Sequence, residues 1–320
     1  MKKKTGILFL FMIITAIVGA FLILIISRGN GKDTGGKDAR LRLVTSFYPT
    51  YIIALNLTDQ IPELKLDSLT DFSAGCLHDY QLTTGDMRLL SDADLFLLNG
   101  GGMEDYLDDV IRNYPKLPMV NISEGIDMLE SEEHEGEDNP HVWLDPMRYI
   151  EQISNMKEGL IRYISGREDL PAEYREDAVR RITENAENYT GKVQELDEEL
   201  KALTLKLQTQ GEQREVIIFH ETFAYLANRI GLSIARTVEM EDEEALSAAE
   251  IADIITEVKN RNIDYLFTEE QFGASVTDRI TEETSVKAYV IDSAVTGDGR
   301  ADSYLNSMRK NLQTLQEAFQ

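Results

Sequence analysis

One cysteine, four histidines, one tryptophan and seven prolines are all that 320 residues contain of these types. A single thiol, Cys76, excludes any disulfide framework within the chain. Basic residues are also scarce, 32 against 57 acidic ones, for a net charge of -25. That balance excludes a nucleic-acid partner, whose phosphates need Lys and Arg, and it favours solubility and the attraction of cations. The motifs of common hydrolases are missing too. There is no HExxH and no G-x-S-x-G. The glycines of "NGGGME", Gly100 to Gly102, are not followed by Lys-Ser/Thr, so they read as a flexible turn and not as a phosphate loop.

What is present begins with charge followed by grease. Lys2, Lys3 and Lys4 precede an uncharged run from Gly6 to Ser27. A secretory signal core is about 7–15 residues long, and a membrane span needs about 20. The run is long and "LILIISRGN" lacks a small-residue cleavage pattern, so residues 1–27 are expected to be an uncleaved anchor with the lysines on the cytoplasmic side. A cleaved signal is the alternative. Residues 28–40 are glycine and charge, the composition of a flexible tether.

From Leu41 the chain alternates. "LRLVTS", "LKLDSLT", "DLFLLNG" and "PMVNIS" read as strands, separated by helix-like segments. The acidic stretch "SEEHEGEDNP" interrupts, and helical spacing returns after Pro146. Ten apolar positions from Tyr174 to Leu207, in steps of three and four, then mark a helix from about Pro171 to Gln208, roughly 55 Å long. Such a helix is a coiled-coil seam or a spine joining two lobes, and the resumed alternation favours the spine. "EVIIF", "IDYLFT" and "VKAYVID" are the later strands, and Ser247 with Glu250 forms a capping-box pattern. The expectation is an α/β protein with two lobes built on parallel sheets and joined by a long rigid helix. The expected boundaries are 41–169 and 211–320 for the lobes and 170–210 for the linker helix.

Three of the four histidines fall at the carboxyl ends of strands or just before helices: His78, His141 and His220. Asp292 follows "VKAYVI" in the same way. Ligands of open α/β sheets bind at that end, so these four groups can converge on a cleft between the lobes. Three imidazoles and one carboxylate make a full tetrahedral shell for Zn²⁺, and an imidazole-rich set suits zinc better than Mn²⁺. Each residue also has a bland reading: a histidine at a strand end is commonly a surface or capping group, and Asp292 could cap its own turn. His134, in the acidic stretch, reads as solvated, with sampling of the metal as the alternative. Cys76, two residues before His78, is a buried small residue or a thiolate ligand. Trp143 reads as packing. Pro140 and the Asp145-Pro146 pair restrict the backbone on either side of His141, which would hold a ligand in advance of its metal.

"CLHDYQLTTGDM…ADLFLLNGGGME", "NPHVWLDP", "IIFHETFAYLANRIGL", "LFTEEQF" and "AYVIDSAVTG" together resemble the metal-receptor proteins of zinc and manganese ABC importers, the ZnuA-like or TroA-like family. The resemblance covers residues 41–320. It implies two Rossmann-like lobes joined by a long helix, one metal in the cleft, and the ligands His78, His141, His220 and Asp292. Histidine at the third position, 220, implies zinc, with a manganese or iron receptor as the alternative. It also implies a non-enzymatic, extracytoplasmic monomer that delivers its metal to an ABC permease. Three features depart from the family. "SEEHEGED" is acidic with one histidine where zinc receptors often have a His-rich loop. No cysteine precedes Cys76 to carry a lipid, so a peptide anchor would replace it. Ser293 stands where proline is usual. A surface adhesin would share the fold. An extracytoplasmic zinc hydrolase is the rival from another class; it needs an open water position and a general base. Glu221 is the neighbour that could serve as that base, but the helix after His220 is expected to turn it away.

Overall fold

In the computed structural model the described residues are 40–77, 80–132, 136–209, 214–238, 246–269 and 274–320. Among them Arg40–Gln320 forms one compact unit. His78 and His134 lie outside the described residues, as do the candidate anchor and most of the tether. No helix among the described residues is long and apolar enough to cross a membrane.

The first sheet is built from β1 (Leu41–Thr45), β2 (Leu64–Ser68), β3 (Leu95–Leu98) and β4 (Met119–Asn121), all parallel, in the order β2-β1-β3-β4. Helices α1 (Tyr48–Leu57), α2 (Thr84–Ser91) and α3 (Leu107–Asn113) connect them. β3, LFLL, is a continuous buried apolar run because both of its faces are covered, as parallel sheets require, and β1 departs from that pattern at the half-buried Arg42 and the buried Thr45. The second sheet repeats the plan with β5 (Glu215–Phe219), β6 (Ser233–Val238), β7 (Tyr265–Thr268) and β8 (Lys287–Val290), again parallel and in the order β6-β5-β7-β8. Its helices are α6 (Ala224–Ile230), α7 (Ala248–Arg261) and α8 (Ala274–Glu283), and α9 (Ser303–Ala318) closes the chain. Sequence periodicity does not mark β6. It is an edge strand of half-buried residues, SIARTV, with no clean alternation to betray it.

Between the sheets run α4 (Pro146–Ser165) and α5 (Ala172–Thr209). The 38 residues of α5 span roughly 57 Å at the helical rise. Of the ten apolar stripe positions, nine are buried and Tyr174 is half-buried. One polar group shares that stripe. Asp197 is buried and pairs with Arg229 of α6 and, at 3.0 Å, with Lys201. A buried carboxylate must be paired in this way or be neutralised. The spine therefore contributes core to both halves. One continuous apolar cluster includes Leu43 and Leu97 of the first sheet, Leu196 and Leu200 of α5, and Val216 and Ile218 of β5. The alternate residues Ile217 and Phe219 face a smaller cluster with Ile254 and Val258 of α7.

Local signals hold where chemistry is explicit. Ser247 accepts from the Glu250 N–H and Glu250 returns the bond, so the capping box forms. Gly100, Gly101 and Gly102 all have positive φ and form a turn. Its amides are occupied from within: Glu104 Oε1 accepts from Asn99 N at 2.7 Å and Oε2 from Gly100 N at 2.9 Å. The chain's own carboxylate thus fills the place an anion would take.

Two outcomes test this architecture. Leu196→Ala should cost about 2–5 kcal/mol, because it opens a cavity in the shared core, whereas Glu195→Ala on the exposed face should stay within about 0.5 kcal/mol. Denaturant titration followed by Trp143 fluorescence and by circular dichroism should report one coincident transition in both variants. The second concerns Glu104, whose pKa burial pushes up to about 7 from its ordinary 4.5. The folded state then holds a proton that the unfolded state has released, so stability falls as pH rises from the ordinary value to the raised one. Glu104→Gln should flatten that slope, which denaturation at about pH 5 and about pH 8 will show.

Candidate metal centre

The parallel order places a topological switch point between β5 and β7. Two chain segments leave it. His220 follows β5 and Glu269 follows β7. His220 has φ 101°, a strained value for a residue with a side chain, and its backbone N–H donates to Val238 O. Such strain persists only where surrounding contacts impose it, and it is concentrated at functional positions.

His141 arrives from the other half. Its ring is fully buried and lies against the ring of His220, with centroids 5.0 Å apart at 79°. Trp143 packs beside it at 5.2 Å and is itself fully buried, which is the packing role expected of it. Asn139 sets the orientation. Its Oδ1 accepts from His141 N at 3.0 Å and sits 2.9 Å from Nδ1. An amide oxygen can only accept, so the ring proton belongs on Nδ1 and Nε2 presents its lone pair. Nε2 lies 3.7 Å from Cys76 Sγ.

Behind each imidazole stands a buried carboxylate. Glu221 Oε1 is 3.6 Å from His141 Nδ1, and its Oε2 accepts from Ser131 Oγ and Glu132 N. Glu221 is turned from the donor side, and it packs inward: after the 3₁₀ turn, Glu221–Phe223, its buried side chain stands at the back of the His141 ring. It supports that ring from behind and is no candidate for a base on the donor side. Glu269 Oε1 is 3.4 Å from His220 Nδ1, which also contacts Thr222 Oγ1. Burial pushes the Glu269 carboxyl up to about 7; the Ser293 hydroxyl, donating at 2.7 Å, opposes the rise and Asp292 adds to it. Ser293, at the position where the resemblance has proline, therefore supplies a hydrogen bond that proline could not.

The halves are stitched around these rings. Asn139 Nδ2 donates to Glu221 O, Tyr225 OH to Asn139 O, Trp143 Nε1 to Ser293 O and Tyr304 OH to Trp143 O. From the first sheet, Asn99 at the end of β3 donates to Pro140 O at 3.0 Å. Asp145 caps α4 by accepting from Met147 N and pairs with Arg148. The Asn-Pro-His-Val-Trp-Leu-Asp-Pro segment is thus fixed at both ends.

Of the four sequence-expected ligands, the structure brings His141 and His220 together. Asp292 sits partly buried just beyond β8, with Oδ1 accepting from Ala294 N and its own N–H donating to Asn311. It is not in the donor group. Among the described residues that group is Cys76, His141 and His220, whose ligating atoms lie within 4.8 Å of one another. The sequence offered a signal for Cys76, its position two residues before His78, but none for which of its two readings applied. Asn139 and Glu269 lie within the quoted motifs with nothing to mark their part in the site, and Glu221 was marked only as a possible base.

The same segments match known proteins. Residues 43–318 match the family model for "Zinc-uptake complex component A periplasmic". The chain is 28% identical over 325 residues to the high-affinity zinc uptake system protein ZnuA of Bacillus subtilis, covering 95% of this chain and 96% of that protein. It is also 28% identical over 244 residues to the manganese-binding lipoprotein MntA of Halalkalibacterium halodurans, covering 74% and 75%. The crystal structure of Zn(II)-bound AdcA from Streptococcus pneumoniae superposes with a TM-score of 0.71 at 24% identity, over 87% of this chain and 57% of that one. That likeness shows the two-lobed α/β fold.

One outcome follows from the carboxylates. Glu221→Gln keeps the shape and removes the charge behind His141. It should weaken Zn²⁺ binding by about 10–100-fold in a calorimetric titration, with an unchanged circular dichroism spectrum.

Proposed function

The chain belongs to the family of periplasmic zinc-uptake complex component A, and we propose that it is an extracytoplasmic receptor that captures Zn²⁺ and delivers it to an ABC import permease. What carries the proposal is the meeting of two imidazoles from different halves, each backed by a buried carboxylate. Asn139 fixes the tautomer of His141, and a carboxylate behind a ligating imidazole raises its basicity, an arrangement that metal-binding histidines use. His141 and His220 are the ligands the geometry supports. His78 and Asp292 complete the set that the family resemblance implies. The donor chemistry, nitrogen with a sulfur nearby, favours zinc over manganese, which prefers oxygen. The zinc uptake named for the Bacillus relative points the same way, while the manganese-binding relative keeps Mn²⁺ as the second reading.

The division at 41–169, 170–210 and 211–320 assigns one half to each sheet and the spine between them. With the His141 segment bonded across both halves, release proceeds by local loop movement and not by a wide hinge. Residues 1–27 serve as the peptide anchor that holds the receptor, a monomer, at the outer face of the membrane. It performs no reaction on its cargo.

The deciding experiment uses the chain from Arg40 onward. Purified protein should carry Zn²⁺, and calorimetry should show tighter binding of Zn²⁺ than of Mn²⁺. His220→Ala should lower the Zn²⁺ affinity by more than about 100-fold, beyond the effect of removing a supporting carboxylate. Equal affinities for the two metals would assign the manganese reading. A measurable turnover lost in the same variant would instead mark a hydrolase.

A further inference from the structure

We infer that Cys76 is a ligand of the bound cation, so that the centre is a mixed sulfur–nitrogen site and the thiolate is what sets its preference for zinc. The inference rests on the receptor reading above and adds to it a residue that the family resemblance does not assign. Cys76 could be no more than a small partly buried filler, since it packs against the main core. Three observations argue otherwise.

The first is distance. Sγ lies 3.7 Å from His141 Nε2, the nitrogen that the Asn139 contact leaves as the lone-pair donor. A tetrahedral zinc with Zn–S of about 2.3 Å and Zn–N of about 2.05 Å holds its sulfur and nitrogen about 3.6 Å apart. The direct contact of Sγ with Nε2 thus has the spacing that two ligands of one ion also need. The second is company. His220 completes the group, with all three donor atoms within 4.8 Å of one another. The third is support. Gly75, at φ 77°, turns the chain immediately before Cys76, and Leu77, fully buried, pins it immediately after. Phe72 O accepts from Gly297 N at 3.0 Å, which ties the same loop to the segment that follows Asp292. A thiol carried by such a loop is positioned and not merely accommodated.

Coordination breaks the Sγ–H bond, releases the proton to solvent and forms one Sγ–metal bond; no electron is transferred. The thiolate brings one negative charge, as a carboxylate would, but it is a soft donor. Soft donors discriminate for Zn²⁺ against Mn²⁺, which imidazole and carboxylate do less well. Cys76 already stands beside both imidazoles, while Asp292 has Oδ1 engaged by Ala294 N and would reach the same ion through Oδ2.

Cobalt(II) makes the test direct, because a thiolate bound to it gives an intense near-ultraviolet charge-transfer band that nitrogen and oxygen ligands do not. The wild-type protein loaded with Co²⁺ should show the band. Cys76→Ser should lose it, bind Zn²⁺ at least about 10-fold more weakly, and show a smaller ratio of Zn²⁺ to Mn²⁺ affinity, while Asp292→Asn keeps the band. Co²⁺ bound by the wild type without a thiolate band overturns the assignment and leaves the receptor reading standing, and that spectrum needs no variant to fold. Wild-type protein that binds neither Zn²⁺ nor Co²⁺ in equilibrium dialysis overturns both.

Discussion

Locking of the His141 ring is the constraint on which the centre depends. A free imidazole could turn either nitrogen inward. Here Nδ1 is held by Asn139 and faced by Glu221, so Nε2 has one direction left. The same amide donates to Glu221 O, so the group that orients the ring also joins the two halves. A buried polar network of this kind specifies one arrangement because each unmade bond would leave a desolvated group, at about 1–3 kcal/mol apiece.

The scaffold explains why such a network can be afforded. The 38-residue helix α5 adds apolar side chains to the cores of both sheets, and one cluster runs through the molecule. Two parallel sheets of the same strand order each reach this network from a strand's carboxyl end, Asn99 after β3 bonding Pro140 O and His220 following β5. Side chains at the ends of rigid elements are placed more closely than side chains on loops alone. The strained backbone at His220 is the local cost, stabilised by the bond of its amide to Val238 in β6.

Glu221 and Glu269 repeat one device. Each buried carboxylate stands within 3.6 Å of an Nδ1 and is in turn held by a hydroxyl, Ser131 in one case and Ser293 in the other. A full positive charge arriving at the far nitrogens would be balanced through both rings by these groups. The high net negative charge of the chain acts at longer range, drawing cations toward the surface without choosing among them.

Periodicity and punctuation along the chain settled most of the architecture. Alternating apolar runs gave seven of the eight strands, and the stripe from Tyr174 to Leu207 gave the spine within one residue at each end. These are local properties, set by side-chain spacing against a backbone of fixed period. The edge strand β6 escaped because a half-buried strand carries no such pattern. The site divided in the same way. Prolines, histidines and their place at strand ends were legible, and they named His141 and His220. Only the tertiary fold decided that Glu221 would face His141, that Glu269 would back His220, and that Cys76 would lie beside His141 and His220. Those choices join residues 49 to 80 positions apart, Glu269 with His220, Cys76 with His141 and Glu221 with His141, and no local pattern records a contact whose energy exists only after both lobes have packed.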